Sequence, residues 1–205
     1  MRLFKSSLCI LVIIGRIKMS GYYSLKDQHV EIKFESEDER VLIICSGGED
    51  VFTKLLKERA VFITHEEDLL KSADQRSLRL LMNPTKLTFA PESFDTVVCF
   101  FTFFYFPKYK AIFENVNRVL KRWGKLLVWD VTIPKKVSHK SFFAVPLLID
   151  DGLEMVKVVN VTKWKFEQSS GMIKKIARES GFKLVKEQTF NQVFHLEFSK
   201  ISDMK

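Results

Sequence analysis

VLIICSGGED, the stretch from Val41 to Asp50, decides the predicted fold of this chain. An apolar, β-branched run leads directly into a turn that contains two adjacent glycines. Such a run is typical of a strand that is covered on both faces. The segment that follows, DVFTKLLKER, carries its apolar residues at helical spacing, and Asp50 is a suitable N-cap. A strand, a glycine-containing turn and a helix in this order are typical of the place where a nucleotide-like cofactor binds.

The rest of the chain continues to alternate between strand and helix patterns. Short apolar runs predict strands over 60–64, 78–82, 93–101 and 125–131. Helical spacing predicts helices over 66–76, 108–124 and 169–181, of which the last two end at Gly124 and Gly181. Residues 132–167 show no single period, and alternating runs at 183–190 and 192–200 predict a final antiparallel pair. Strand–helix units in series require a parallel sheet with helices on both faces.

The composition is that of one globular domain of 205 residues with a formal net charge of +8. We interpret the positive charge as scattered surface lysines, because no basic run exceeds a few residues, and we expect no nucleic-acid partner. Three cysteines, Cys9, Cys45 and Cys99, have no paired spacing. This predicts a reducing, cytoplasmic location and no metal site.

Residues 1–20 are predicted to be an N-terminal extension that precedes a single domain over 21–205. The apolar run from Leu8 to Ile14 is far shorter than the ~20 residues that a membrane-spanning helix needs. We therefore expect no stable membrane span. A second methionine, Met19, follows the run and is an alternative start of translation.

Two stretches resemble class I S-adenosylmethionine-dependent methyltransferases. LTFAPESFDTVVCFFTFFYF, Leu87–Phe106, is similar to the family's LPF-x-x-x-S-F-D-x-V motif and the apolar strand after it. NVNRVLKRWGKLLVWD, Asn115–Asp130, is similar to its RVLKPGG segment. The branch that the chain most resembles is the small-molecule one of ubiquinone and menaquinone biosynthesis.

The resemblance implies an α/β fold with a doubly wound, seven-stranded, mostly parallel sheet and an antiparallel terminal strand. It also implies S-adenosylmethionine as the cofactor, bound over the carboxyl ends of the first strands. That position agrees with the general rule for ligands of open α/β sheets. Because the sulfonium methyl group is already activated, the protein mainly supplies proximity and orientation.

The first motif of the family, an acid followed by a Gly-x-Gly-x-Gly turn, is degenerate in this chain. Ile43 stands at the position of the acid, and one of the three glycine positions keeps its glycine. The cofactor-binding residues implied here are Cys45, Ser46, Gly47, Gly48 and Glu49. An inward Glu49 carboxylate, at ~4 Å from the carboxylate of the ligand and at an effective dielectric of about 20, costs roughly 4 kcal/mol. An outward Glu49 costs nothing.

The resemblance implies further cofactor-binding positions, and at some of them this chain has a different residue from the family. Thr64 stands where the family has an acid that binds the ribose hydroxyls, and His65 is next to it. Asn83 replaces an aspartate that contacts the adenine amine, and an amide oxygen can accept the same bond. The end of the fourth strand adds Cys99 and Phe100 to the implied cofactor-binding residues.

No fixed catalytic residue is required, so the catalytic candidates are weak ones: Tyr105, Asp130 and His139. The aromatic run FFTFFYF, Phe100–Phe106, is either an apolar wall for the substrate or ordinary core packing. For His139 and His195, an ordinary structural or surface role is favoured over a catalytic one.

Two functions of different classes follow. The first is methyl transfer from S-adenosylmethionine to a small, apolar or aromatic molecule. The alternative is a catalytically inactive protein of the same fold that serves as a binding or subunit-partner module. The altered glycine turn favours the alternative, whereas the second half of the sequence argues for the fold alone.

Overall fold

The computed structural model describes residues 21–33, 40–45, 49–65, 67, 77–150, 152 and 155–201. Three predictions lie outside the described residues: the N-terminal extension, the turn at 46–48 and, apart from Glu67, the helix over 66–76. The orientation of the Glu49 side chain also lies outside them, although Glu49 begins a helix.

The described chain contains eleven strands and four α-helices. The strands are β1 (Tyr22–Ser24), β2 (Gln28–Glu31), β3 (Val41–Cys45), β4 (Ala60–Thr64), β5 (Leu78–Leu81), β6 (Phe94–Phe100), β7 (Leu120–Val131), β8 (Phe142–Asp150), β9 (Met155–Lys163), β10 (Phe182–Phe190) and β11 (Val193–Lys200). The helices are α1 (Glu49–Leu56), α2 (Thr102–Tyr105), α3 (Tyr109–Val119) and α4 (Ser170–Glu179).

The main sheet has seven strands in the order β10-β11-β7-β6-β3-β4-β5. The pairs from β7 to β5 are parallel, and β11 runs antiparallel to both β7 and β10. The sheet therefore confirms the predicted α/β class, the mostly parallel sheet and the reversed final strands. The strand order changes direction beside β3, which is where open sheets of this kind bind ligands.

Burial on both faces explains why the central strands are continuously apolar. Every residue of Val41–Cys45 is buried, as expected for a strand in the middle of a parallel sheet. On one face the core includes residues of α1 together with residues of β8. On the other face it includes residues of α3 and α4. Layers on both faces of one sheet are the architecture that the alternating pattern predicts.

A second sheet corrects the interpretation of residues 132–167. This segment contains the antiparallel hairpin of β8 and β9, with Phe142 opposite Lys163 and Asp150 opposite Met155. The other edge of β8 pairs in parallel with β1 and then β2, which makes a four-stranded sheet. The sequence of β8 does not alternate between apolar and polar residues, because the strand is covered on both faces. Six of its nine residues are buried, five of them in succession.

The helix predicted over 108–124 was too long. It ends at Val119, and β7 begins at Leu120, so Gly124 lies in a strand rather than in a cap. A Cβ atom on Gly124 would lie 2.9 Å from the Lys121 carbonyl oxygen and 3.0 Å from that of Asp95. Close approach of β7 to β6 is therefore what requires a glycine here.

Candidate functional site

A small cavity lies at the carboxyl edge of the main sheet, next to the point where the strand order changes direction. Its empty space, counted together with the open solvent at its mouth, is about 180 Å³. It is lined by the ends of β3 and β4, the residues after β5, and the region of α2: Ile44, Cys45, Ile63, Thr64, His65, Met82, Pro84, Thr102 and Phe106. The parallel strands bring these residues together because their carboxyl ends meet at one edge.

The polar groups of this cavity come mainly from the end of β4. Thr64 is buried with 8% exposure, and His65 is half-buried. Burial lowers the pKa of His65, so its imidazole is neutral at pH 7 and carries one donor and one acceptor nitrogen. The His65 ring lies edge-on against Phe106, with centroids 4.6 Å apart. The cavity thus pairs apolar walls with neutral hydrogen-bonding groups.

The turn from β6 into α2 is tightly fixed beside the cavity. Thr102 Oγ1 donates a hydrogen bond to the Ile44 carbonyl oxygen at 2.7 Å, which ties the start of α2 to β3. Phe101 has a left-handed backbone, with φ 52° and ψ 26°, and its N–H donates to the Trp129 carbonyl oxygen at 2.8 Å. A bulky residue rarely adopts this conformation. Strain of this kind is typical of functional sites.

Asp130 lies beneath α2 and does not line the cavity. Its Oδ2 accepts hydrogen bonds from the backbone N–H groups of Phe103 (2.9 Å) and Phe104 (3.2 Å). Its Oδ1 accepts from the Val131 N–H (2.9 Å) and from Gln168 Nε2 (2.6 Å). Burial nevertheless raises the pKa of Asp130 to about 7. The geometry gives this carboxyl group the role of holding α2 in place.

The other two catalytic candidates also lie outside the cavity lining. The Tyr105 hydroxyl donates to Asn160 Oδ1 of β9 at 3.0 Å, and its ring centroid is 6.4 Å from that of His65. His139 is exposed in the loop before β8. His195 is buried and stacks on Trp129, with centroids 3.9 Å apart, and burial lowers its pKa to about 4. Neither His139 nor His195 lines the cavity.

The implied cofactor positions divide into two groups. Cys45, Thr64 and His65 line the cavity. Cys99 and Phe100 are fully buried in the core, and burial raises the pKa of the Cys99 thiol to about 12. Neither of these two side chains lines the cavity.

Asn83 is exposed between two residues of the cavity lining, Met82 and Pro84. Its Oδ1 accepts from both the backbone N–H (2.9 Å) and the hydroxyl (2.8 Å) of Thr85. Two donors already occupy this oxygen, so the amide oxygen is committed to a local turn.

The aromatic run after β6 mainly packs in the core. Phe101, Phe104 and Tyr105 belong to the cluster on the side of the second sheet, whereas Phe103 stacks on Phe113 in the other cluster. Phe106 lines the cavity. Sequence reasoning did not single out Met82, Pro84 or Thr102, because their place depends on how the loops after β5 and β6 turn back over the sheet.

Comparison with sequence families matches residues 45–128 to the family described as methyltransferase domain. No curated protein matches the chain. Solved structures match it at low identity. A methyltransferase of Methanosarcina mazei, described as S-adenosylmethionine-dependent, has a TM-score of 0.58 and 14% identity, over 82% of this chain and 95% of that one.

Two further structures show the range of similar proteins. A Haloferax volcanii methyltransferase, solved in complex with the Trm112 methyltransferase activator, has a TM-score of 0.61 and 12% identity, over 83% of this chain and 86% of that one. The Burkholderia thailandensis 1,6-didemethyltoxoflavin-N1-methyltransferase contains its substrate and S-adenosylhomocysteine; it has a TM-score of 0.51 and 10% identity, over 79% and 71% of the two chains.

At these identities the structural likeness establishes the fold, and the family match adds a methyltransferase domain over residues 45–128. The methyltransferase domain match, and the S-adenosylhomocysteine in one of the similar structures, agree with S-adenosylmethionine as the cofactor.

Proposed function

We propose that the protein transfers a methyl group from S-adenosylmethionine to a small, apolar or aromatic molecule. The observation that carries this proposal is the cavity at the carboxyl ends of β3 and β4. It lies where ligands of open α/β sheets bind. The branch of ubiquinone and menaquinone biosynthesis enzymes, which the sequence resembles, acts on substrates of this kind.

The chemistry of the described residues suits the nucleoside part of the cofactor. The site is a depression that is open to solvent, with about 180 Å³ of empty space in all, so we assign its walls to part of the molecule. Thr64 and His65 would hold the sugar through neutral hydrogen bonds, and the apolar side chains of Ile44, Ile63 and Met82 would contact the base. When bound, S-adenosylmethionine would supply an activated methyl group, so the protein itself needs to position the acceptor.

The substrate assignment rests on the aromatic side chains around α2. Phe101, Phe104 and Tyr105 share one cluster with Phe143 and Trp164 of the segment that carries the second sheet. Phe106 packs against both core clusters and connects these aromatic side chains to the cavity wall. Phe101 and Phe104 are core residues, whereas Phe106 lines the cavity. An aromatic wall beside the cofactor favours an apolar substrate.

The alternative of an inactive member of the fold is not favoured over this function by the family match or the similar structures. We place the protein in a reducing, cytoplasmic compartment, since Cys45 and Cys99, the two cysteines among the described residues, are buried and belong to no disulfide. Within the described residues, no helix is long and apolar enough to cross a membrane.

Calorimetric titration with S-adenosylhomocysteine tests the proposal. The wild-type protein and the Glu49→Gly variant are compared, because Glu49 occupies a glycine position of the family motif. The proposal expects micromolar binding by the wild type. Binding that appears in Glu49→Gly alone would show that the natural site rejects the cofactor and would establish the inactive alternative.

A further inference from the structure

A basic surface of four lysines lies just beyond the carboxyl end of β7. Lys135 and Lys136 follow Ile133 in the loop before β8, and Lys163 and Lys165 lie at and just after the end of β9. All four side chains are exposed. We refer to these four lysines, with Val137 between them, as the basic surface.

Specific contacts hold the two segments of this surface together. The Trp164 indole Nε1–H donates to the Pro134 carbonyl oxygen at 2.9 Å, and its backbone N–H donates to the Ser141 carbonyl oxygen at 3.0 Å. Ile133 and Gln168 form an antiparallel bridge. Because the Trp164 side chain is buried with 2% exposure, the lysines on either side of it project toward solvent. The fold therefore concentrates positive charge at one place.

Little negative charge balances these lysines. Among the described residues, none of the four forms an ion pair, whereas Lys110, Lys121, Lys157, Lys174 and Lys186 do. Glu167 is the acidic residue that the antiparallel bridge brings near the surface. A cluster of this kind fits a partner of opposite charge.

An apolar side chain marks the tip of the basic surface. Val137 is 77% exposed, the highest exposure among the large hydrophobic residues that the structure describes. It lies directly after Lys135 and Lys136. Segment 134–141, PKKVSHKS, contains no Phe, Tyr or Trp, and His139 is its one ring that can stack on a base. Lysines around an exposed aliphatic residue suit the headgroup region of an anionic lipid surface.

We propose that the basic surface binds peripherally to anionic lipid bilayers. The lysines contact lipid headgroups, and Val137 enters the interface. The surface lies at the carboxyl edge of the main sheet, as does the cavity. Bilayer contact thus places the cavity beside a reservoir of apolar molecules that could serve as methyl acceptors, and this consequence rests on the proposed function. Lipid binding itself does not depend on the proposed function.

Co-sedimentation with vesicles tests the proposal on the full chain. One set of vesicles is phosphatidylcholine alone, and the other contains about 30% phosphatidylserine, enough for a negative surface potential. We expect binding to the second set only. Lys135→Glu with Lys136→Glu should weaken it at least about 25-fold, since each lysine near such a surface contributes about fivefold.

A matched variant separates local from overall charge. Lys175→Glu with Lys183→Glu changes the net charge by the same amount at exposed positions of α4 and β10, and it should bind within about twofold of the wild type. Absence of wild-type binding, or an equal loss in both double variants, would overturn the proposal. So would a single-stranded RNA that binds more tightly and depends on the same two lysines, because the surface would then belong to nucleic acid.

Binding of S-adenosylhomocysteine by the Lys135→Glu, Lys136→Glu variant is measured in parallel and should equal that of the wild type. If the wild type sediments with anionic vesicles but binds no S-adenosylhomocysteine, the lipid surface stands and the proposed function fails. If the wild type binds S-adenosylhomocysteine but no vesicles, the proposed function stands and the lipid surface fails.

Discussion

The two halves of the carboxyl edge of the main sheet are built differently. Around β6, α2 and β7, buried hydrogen bonds fix the chain: Asp130 accepts four of them, and Thr102 ties α2 to β3. Around β3 and β4, the cavity presents apolar walls with Thr64 and His65. The half that matches the family motifs most closely provides most of the buried hydrogen bonds, and the half with the altered motif provides most of the cavity lining, to which Thr102 and Phe106 of the first half also belong.

This difference shows that fold and ligand binding depend on separate residues. Substitutions in the first half should lower stability before they affect binding. Substitutions in the second half should affect cofactor affinity while the protein stays folded. The predictions below test this separation.

Loss of the Asp130 carboxyl group should have the largest effect. Asp130→Ala removes the side-chain acceptor of three backbone N–H groups, at about 1–3 kcal/mol each, and one of the two acceptors of Gln168 Nε2. The sum is comparable to the whole stability of a typical domain, about 5–15 kcal/mol. Urea unfolding followed by circular dichroism measures the loss. Asp27→Ala, which removes an exposed ion pair with Lys157, should cost at most about 1 kcal/mol, and equal costs would contradict the assignment.

The pH dependence of stability should also report on Asp130. Burial raises its pKa to about 7 in the folded protein, above the value near 3.9 that an unfolded chain has. Its contribution is therefore fully present below about pH 4 and is lost as the pH rises through about 7. The free energy of unfolding of the wild type minus that of Asp130→Asn should fall by a few kcal/mol between pH 5 and pH 8. The opposite contribution of His195, whose pKa is lowered, cancels in this difference. A difference in free energy of unfolding that stays constant between pH 5 and pH 8 would contradict the prediction.

Removal of the Tyr105 hydroxyl should have a moderate effect on stability alone. Tyr105→Phe leaves Asn160 Oδ1 without its 3.0 Å donor in the junction between α2 and β9, at a cost of about 1–2 kcal/mol. Thermal unfolding measures this cost. S-adenosylhomocysteine affinity should stay within about twofold of the wild type, and a tenfold loss would place Tyr105 in the ligand-binding half.

The smallest effect on stability and a selective effect on binding are expected for Thr64→Val. The substitution keeps the shape of the side chain and removes one hydroxyl from the cavity wall. One lost hydrogen bond corresponds to about 3–10-fold in affinity, as measured by calorimetry with S-adenosylhomocysteine. Thr53→Val, at a buried threonine of α1 outside the cavity lining, is the control: it removes the acceptor of the 3.0 Å hydrogen bond from Arg79 and should leave the affinity for S-adenosylhomocysteine unchanged. Unchanged affinity in Thr64→Val would remove this residue from the site.

The sequence was most informative where a single physical constraint dominated. Continuous apolar runs predicted β3, β4 and β6 because both faces of these strands are buried, and alternation predicted the reversed pair β10 and β11. The hairpin of β8 and β9 was missed because it pairs with β1 and β2 from far away in the chain. Such pairing leaves no local signature.

The same limit applies to the candidate site. The family resemblance implied Cys45 and Thr64, at the ends of two predicted strands, as cofactor-binding residues, and both line the cavity. Asp130 was found as a polar residue at the end of a strand, but its partner Gln168 is 38 positions away and could not be foreseen. Gly124 suited a helix cap in the sequence, whereas the close approach of two strands explains it in the structure.

The most direct test of the account is a methyl NMR titration with S-adenosylhomocysteine on protein labelled at isoleucine and methionine methyl groups. Ile44, Ile63 and Met82 line the cavity, and Ile173 is buried in α4 away from that lining. The account predicts saturable shifts of the first three signals, with Ile173 unchanged. No shifts at saturating ligand, or shifts confined to Ile173, would contradict a cofactor site at the ends of β3 and β4.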